Sequence, residues 1–208
     1  MIHCHRIVNS LFNSNTYIIY FDNIQDAYLI DCGDFDKVKE WLECNKKQLK
    51  SIFVTHSHFD HIYGINDALK LYPQTTIYLS QKGGKEIISN PKLNKSKYTE
   101  TPFSVQSNNI IEIENGNLIK ISDESYVKVF ETPGHTSDSI SYIIDNNIYT
   151  GDAFIPNIRT ITKLKESNKE LAKESLFKIY EMLNKDIIVH PGHNDSSSIQ
   201  HINIDLMF

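Results

Sequence analysis

The run His56-Ser57-His58-Phe59-Asp60-His61 constrains this chain more than any other feature. It places three imidazoles and a carboxylate directly after the apolar residues 51–55, in a loop that leaves a buried strand. Alternate residues of an extended segment point the same way, so we expect His56, His58 and Asp60 to converge while His61 faces elsewhere. Imidazole and carboxylate are ligands of divalent metals such as zinc. Ligands in two directions favour two adjacent ions over one.

Three later segments share one pattern, which is a short apolar strand, a glycine and then a side chain that can bind metal. They are Thr132-Pro133-Gly134-His135-Thr136, Tyr149-Thr150-Gly151-Asp152-Ala153 and Val189-His190-Pro191-Gly192-His193-Asn194. Glycine allows a sharp turn and a close approach of the backbone. Loops on a strand scaffold are where functional sites are usually built. The candidate ligands therefore come from distant strands and can meet only in the folded chain.

Together with Leu29-Ile30-Asp31-Cys32-Gly33, these motifs resemble the metallo-β-lactamase superfamily, and within it the glyoxalase II-like hydrolases, from about Asn15 to His193. The resemblance implies an α/β fold, the four-layer αββα sandwich, with metals at one edge between two sheets. It also implies a role for each motif residue. His56, His58 and His135 would bind the first ion, and Asp60, His61 and His193 the second. Asp152 would bridge both ions, and Asp31 would orient the loop of metal histidines.

The chain departs from several members of that superfamily. Glyoxalase II proper carries a C-terminal helical domain that holds glutathione, and the residues after His193 are too few for it. Class B lactamases place a cysteine or another residue where this chain has Asp152, which argues against lactamase activity. The length of 208 residues leaves no room for the extra domain of the superfamily's nucleases.

The mechanism expected from such a site is hydrolysis of a small-molecule thioester or another ester. Two cations that share Asp152 would hold a water, and bound zinc lowers the pKa of water to about 7. The resulting hydroxide would attack the carbonyl while the metals stabilise the oxyanion, and Asp60 would be both ligand and proton acceptor. We expect zinc, although the ligands also suit iron or manganese.

Two alternatives stay open at this point. The first is an iron oxygenase of the persulfide dioxygenase kind, with a single iron on His56, His135 and Asp152. The second is a metal-binding module without catalytic activity.

Composition predicts a single soluble domain over residues 1–208, because 40% hydrophobic and 23% charged residues are an ordinary globular mixture. No apolar run approaches the ~20 residues of a membrane span, and the N-terminus lacks a secretory signal. The net charge of −5 gives no reason to expect nucleic acid as a partner. Cys4, Cys32 and Cys44 are not clustered, so we expect reduced thiols and a cytoplasmic protein.

Periodicity predicts a hairpin over residues 16–21 and 27–30, helices over 36–47, 65–72 and 169–183, and strands over 77–79 and 187–190. Asp36 is the expected cap of the first helix. The polar stretch from Ser89 to Asn109 is either a solvated surface loop or a lid that shapes a substrate pocket.

Arg159 is the candidate substrate-binding residue. It follows Asp152 by a short segment that we expect along the rim of the metal pocket. Its neighbours Ile158 and Ile161 are expected to anchor this segment and hold the guanidinium toward the pocket. The planar fork of arginine suits carboxylate or phosphate oxygens, so we expect an anionic small-molecule substrate. The pattern does not set the oligomeric state.

Overall fold

A computed structural model describes residues 1–96, 102–105, 107–164 and 166–207. The chain divides into two compact units, Met1–Leu79 with Gly84–Glu112, and Ser80–Gly83 with Ile113–Phe208. Each unit is built on its own six-stranded sheet. A single domain over residues 1–208 stays a prediction. No helix in the described ranges is both long and apolar enough to cross a membrane.

The sheet of the first unit has the order β1 (Ile2–Val8), β2 (Asn15–Phe21), β3 (Asp26–Ile30), β4 (Gln48–Phe53), β5 (Thr76–Ser80) and β6 (Ile110–Ile113). The predicted hairpin is confirmed, since β2 and β3 pair antiparallel. By contrast β3, β4 and β5 are parallel. Parallel neighbours need a crossover connection, and α1 (Phe35–Cys44) and α2 (Ile65–Leu71) supply it. The histidine-rich run therefore follows the carboxyl end of β4.

Helix α1 packs through an apolar face that includes the buried residues Phe35, Val38 and Leu42. It is shorter than predicted at its C-terminal end, where Lys46 adopts a φ of 54°. The prediction of Asp36 as its cap is wrong, because Asp34 occupies that position and Asp36 lies in the first turn. The core of this unit is apolar, and its residues Ile18, Leu29 and Ile52 are each 0% exposed to solvent.

The sheet of the second unit has the order β12 (Ser197–Ser198), β11 (Ile188–Pro191), β10 (Asn147–Gly151), β9 (Ile140–Ile144), β8 (Tyr126–Glu131) and β7 (Leu118–Lys120). The strands β10 and β11 are parallel, and α4 (Lys169–Met182) lies between them in sequence. Residues after both strands therefore leave the same edge of the sheet. The predictions of this helix and of the strand over 187–190 are confirmed to within a residue at each end.

The polar stretch from Ser89 to Asn109 includes residues 97–101 and 106, which lie outside the described residues. Its described part begins at the end of α3 (Gly84–Ser89) and is not simply solvated. Asn94 is buried, and its amide donates to the carbonyl oxygens of Ile88 and Phe103 at 3.2 and 2.9 Å. Val105 is buried in the apolar core. A role as a lid stays a prediction.

Candidate metal centre

The histidine-rich loop is extended only as far as His58. The residues Phe59–His61 form a 3₁₀ turn, in which His61 N donates to His58 O at 3.0 Å. The predicted alternation is therefore wrong at Asp60, because the turn changes the direction of its side chain. It brings His61 beside His56, with ring centroids 4.3 Å apart, rather than facing away from it. The His56 and His58 rings are 4.8 Å apart, so all three imidazoles form one cluster.

The Asp31 carboxylate holds this loop through contacts with Thr55 and His61. Asp31 is 2% exposed, and its oxygens accept from Thr55 N at 2.7 Å and Thr55 Oγ1 at 2.8 Å. The Nδ1 atom of His61 lies 2.8 Å from the same carboxylate, so it donates and leaves the imidazole lone pair on Nε2. Burial raises the pKa of Asp31, against the opposing effects of His61 and Thr55. These contacts support the orienting role expected of Asp31.

Two other residues hold the loop and were not identified from the sequence. Ser14 Oγ donates to the backbone oxygen of Asp60 at 2.7 Å, and thereby fixes the 3₁₀ turn. Thr55 Oγ1 lies 3.1 Å from His56 Nδ1 as well as contacting Asp31. Thr55 directly precedes His56 and belongs to the run 55–61 that carries the family resemblance, which is the sequence signal that points to it.

In the second unit, a glycine and the start of α4 position His135. Gly134 has a φ of 137°, and a Cβ atom there would lie 2.2 Å from the backbone nitrogen of Ala172. Only glycine fits this close approach. Ser167 Oγ donates to His135 O at 2.7 Å. The ring Nδ1 of His135 is 3.0 Å from the carbonyl oxygen of Ile161 and donates to it, which turns Nε2 toward Asp152.

Asp152 follows β10, and His193 follows the parallel strand β11, so the two loops are neighbours. Gly192 N donates to Gly151 O at 2.8 Å and ties them together. One oxygen of Asp152, Oδ2, lies 3.5 Å from Nε2 of His135 and 3.5 Å from Nε2 of His193. In the first unit, Asp60 Oδ2 lies 3.4 Å from Nε2 of His61.

These separations are longer than the roughly 2.7–3.2 Å of an N–H···O hydrogen bond. Two ligand atoms that each lie ~2.1 Å from one tetrahedral ion are about 3.4 Å apart, because of the tetrahedral angle. The three pairs therefore have the spacing of ligands that share an ion. The donor set, neutral imidazole nitrogens with carboxylate oxygens, fits a divalent metal.

Arg159 is exposed, and the predicted reason for its orientation is wrong. Ile158 and Ile161 are 42% and 57% exposed, so they do not anchor the segment. The buried Thr160 anchors it instead, through a hydrogen bond from Oγ1 to Ala153 O at 3.2 Å. Arg159 lines a cavity of the second unit.

His190 is buried, and it is not among the proposed metal ligands. Its Nδ1 lies 2.7 Å from Ser196 Oγ and its Nε2 lies 2.8 Å from Asn147 Oδ1. Both ring nitrogens are therefore engaged in hydrogen bonds, as expected for a structural histidine.

This chain is similar in sequence to proteins that are named as hydrolases, and similar in structure to solved proteins. A hydroxyacylglutathione hydrolase of Hydrogenovibrio crunogenus is 26% identical over 186 residues, 88% of this chain and 60% of that protein. The chain thus spans less than two thirds of that relative's length. A protein of Streptococcus pyogenes serotype M6, named a probable metallo-hydrolase, is 28% identical over 209 residues, 95% of this chain and 86% of that protein.

Two solved structures confirm the fold class. The BLEG-1 B3 metallo-β-lactamase matches with a TM-score of 0.84 and 25% identity, over 97% of this chain and 95% of that one. ETHE1 from Myxococcus xanthus matches with a TM-score of 0.72 and 25% identity, over 95% and 80% of the two chains. The sequence model of the metallo-β-lactamase superfamily matches residues 9–193, which include every proposed ligand. This chain belongs to the metallo-β-lactamase superfamily.

Proposed function

We propose that this chain is a binuclear metal-dependent hydrolase that acts on a small-molecule thioester or another ester. His56, His58 and His135 would hold one ion, Asp60, His61 and His193 would hold the other, and Asp152 would be shared by both. The observation that carries the proposal is the position of Asp152 Oδ2, at 3.5 Å from both His135 Nε2 and His193 Nε2. A single oxygen equally distant from one ligand of each ion is what a bridge requires.

The ligands within each unit add support. In the first unit, three clustered imidazoles and Asp60 bring together nitrogen and oxygen atoms of the kind that divalent metals bind. In the second unit, Asp152 stands between two histidines that face it through Nε2.

Residues of the protein orient the proposed metal ligands and accept a proton. Asp31 and the Ile161 carbonyl hold the Nδ1 protons of His61 and His135, so that each Nε2 keeps its lone pair for binding. Asp60 is 14% exposed, which makes it more open to a substrate than the fully buried His61 beside it. We assign Asp60 the second role of proton acceptor. When bound, the ions lower the pKa of a water to about 7 and polarise the scissile carbonyl.

The metal, the cellular location and the charge of the substrate are inferred from the chemistry of the residues. Zinc is the favoured metal because imidazole and carboxylate suit it, and iron and manganese remain compatible with the same ligands. The cytoplasm is the proposed location because the three cysteines are odd in number and not clustered in the sequence, which does not suit a disulfide framework. The proposed substrate is anionic, and Arg159 orients the charged group remote from the scissile bond. Neither nucleic acid nor a membrane is part of the proposal.

An iron oxygenase of the persulfide dioxygenase kind is the second candidate. It would use only His56, His135 and Asp152. His193 argues against it, because this residue meets Asp152 at the same 3.5 Å as His135 and would then have no metal to bind. Oxygen uptake with glutathione persulfide, measured on protein that holds one iron per chain, would select this candidate.

The proposed function is tested by hydrolysis of a panel of thioesters, esters, lactones and phosphodiesters by protein of measured metal content. We expect turnover of a thioester or ester by wild-type protein and none by Asp152→Ala. A protein that holds two ions but hydrolyses no member of the panel would instead be a non-catalytic metal-binding module.

A further inference from the structure

A cavity of about 200 Å³ lies beside α4 in the second unit. Its walls come from the segment that follows Asp152, from the first turns of α4 and from the buried Met207. The volume is somewhat larger than the ~150 Å³ engineered cavity that holds one benzene molecule. The cavity can therefore take a small chemical group, but not a whole cofactor.

The residues that line this cavity include three exposed cationic side chains and several buried apolar ones. Arg159, Lys169 and Lys173 supply three positive side chains, although the chain as a whole has a net charge of −5. Ala172 and Leu176 are 5% and 2% exposed and form an apolar floor. Residues three, four and seven positions after Lys169 lie on the same face of a helix, so α4 presents both kinds of side chain to the cavity.

The cavity lies close to a proposed metal ligand. Thr160 and Thr162 both line it, and the carbonyl oxygen of the intervening Ile161 accepts the hydrogen bond from His135 Nδ1 at 3.0 Å. Given 3.8 Å between successive Cα atoms and this 3.0 Å bond, the path from His135 Nε2 to either threonine Cα is at most roughly 12 Å. A substrate chain of about nine or ten atoms in extended form spans that distance, since each bond of ~1.5 Å advances an extended chain by roughly 1.25 Å.

We propose that this cavity binds an anionic group carried on a short apolar segment, which is the end of the substrate remote from the scissile bond. The substrate part of this inference rests on the proposed hydrolase function. Lys169, Lys173 and Arg159 bind the anionic oxygens, and Leu176, Ala172 and Met207 contact the apolar segment. Arginine and lysine make stronger hydrogen bonds to anionic than to neutral oxygens, so the cavity should favour an anionic end group over a neutral one of the same size.

Calorimetric titration with n-pentyl sulfonate tests the site directly, because a sulfonate is a poor metal ligand and will not report on the metal centre. The metal-loaded protein should bind it at least ten times more tightly than 1-pentanol or n-pentylammonium. The Lys169→Gln, Lys173→Gln double variant should weaken binding at least tenfold. Lys185→Gln is the matched control, since Lys185 is exposed, does not line the cavity and loses the same kind of charge.

Each result decides the inference. Equal binding of the three head groups, no detectable binding, or an equal loss in the Lys185→Gln control would overturn it. Hydrolysis is measured in parallel on a neutral thioester, which does not need the cavity. Sulfonate binding with the expected losses but no hydrolysis of any ester would leave the anion site standing and refute the hydrolase, which separates the two proposals. Selective inhibition by pentyl sulfonate of an anionic over a neutral thioester would support the substrate assignment, and equal inhibition would refute it.

Discussion

Replacing Asp31 with asparagine should weaken metal binding without unfolding the chain. Asp31 has a φ of 58°, a conformation that asparagine tolerates and alanine does not, so Asp31→Asn is the clean substitution. The side-chain oxygen of the introduced asparagine can still accept from Thr55 N, which now donates to Asp31 at 2.7 Å. The new NH₂ group, however, would face the Nδ1 atom of His61, where a donor is already present.

That conflict has a defined consequence for His61. Two donors then face each other, and the conflict is relieved if His61 changes tautomer, so that Nδ1 accepts from the NH₂ group and Nε2 carries the proton. A protonated Nε2 cannot bind a metal ion. Loss of an orienting partner typically costs about 10–100-fold in metal affinity or activity, which corresponds to about 1.4–2.8 kcal/mol. The loss should fall mainly on the ion held by His61, because His61 is the proposed ligand that Asp31 contacts directly.

The assay is a zinc titration of chelator-treated protein against a competing indicator, with a thermal unfolding curve of the same sample. Asp26→Asn is the control, because it removes a carboxylate from the start of β3, the strand that Asp31 directly follows. We expect one of two binding steps to weaken by at least tenfold in Asp31→Asn and neither in Asp26→Asn. Unchanged affinity for both ions with an unchanged rate would show that Asp31 is only a turn residue.

Three further changes test separate parts of the account. Asp152→Ala and His58→Ala should each lower turnover at least 100-fold with an unchanged circular dichroism spectrum, because both residues lie in loops after strands; retained turnover in Asp152→Ala would refute the bridge. Gly134→Ala should destabilise the protein and lower metal affinity, since the added Cβ would lie 2.2 Å from Ala172 N, and Gly116→Ala, with nothing near its Cβ but also a positive φ, is the control for backbone strain alone. Burial alone would raise the pKa of Asp34, but hydrogen bonds from Lys37, Tyr63 and Ser10 hold it well below its usual range. A depressed carboxyl pKa adds stability above the unfolded value of about 3.9 that is lost as the pH falls, so the difference in unfolding free energy between wild type and Asp34→Asn should narrow below about pH 4; a constant difference from pH 7 to pH 3 would contradict this.

The sequence is informative about where the ligands lie along the chain. Each ligand motif follows an apolar run, and β4, β10 and β11 end where those runs end. Glycine before His135 predicts a close backbone approach, and the contact with Ala172 explains it. These features are local, because a strand, its end and a glycine can be recognised within a few residues.

The contacts that orient the ligands could not be predicted in the same way. The partner of His135 is the backbone carbonyl of Ile161, and any residue at that position would offer the same oxygen. The 3₁₀ turn at Phe59–His61 has no periodicity that distinguishes it from an extended loop. The expectation for Ile158 and Ile161 is wrong for a related reason, since an apolar residue in an irregular segment carries no signal of the direction in which it points.

Elemental analysis of gently purified protein, combined with turnover of the same sample, tests the central claim most directly. Seven proposed ligands are more than one tetrahedral ion can bind, and Asp152 has the spacing of a bridge. We predict about two ions per chain, with activity that rises as the second ion is added back to chelator-treated protein. A stable and fully active protein with a single ion per chain would contradict the two-metal site.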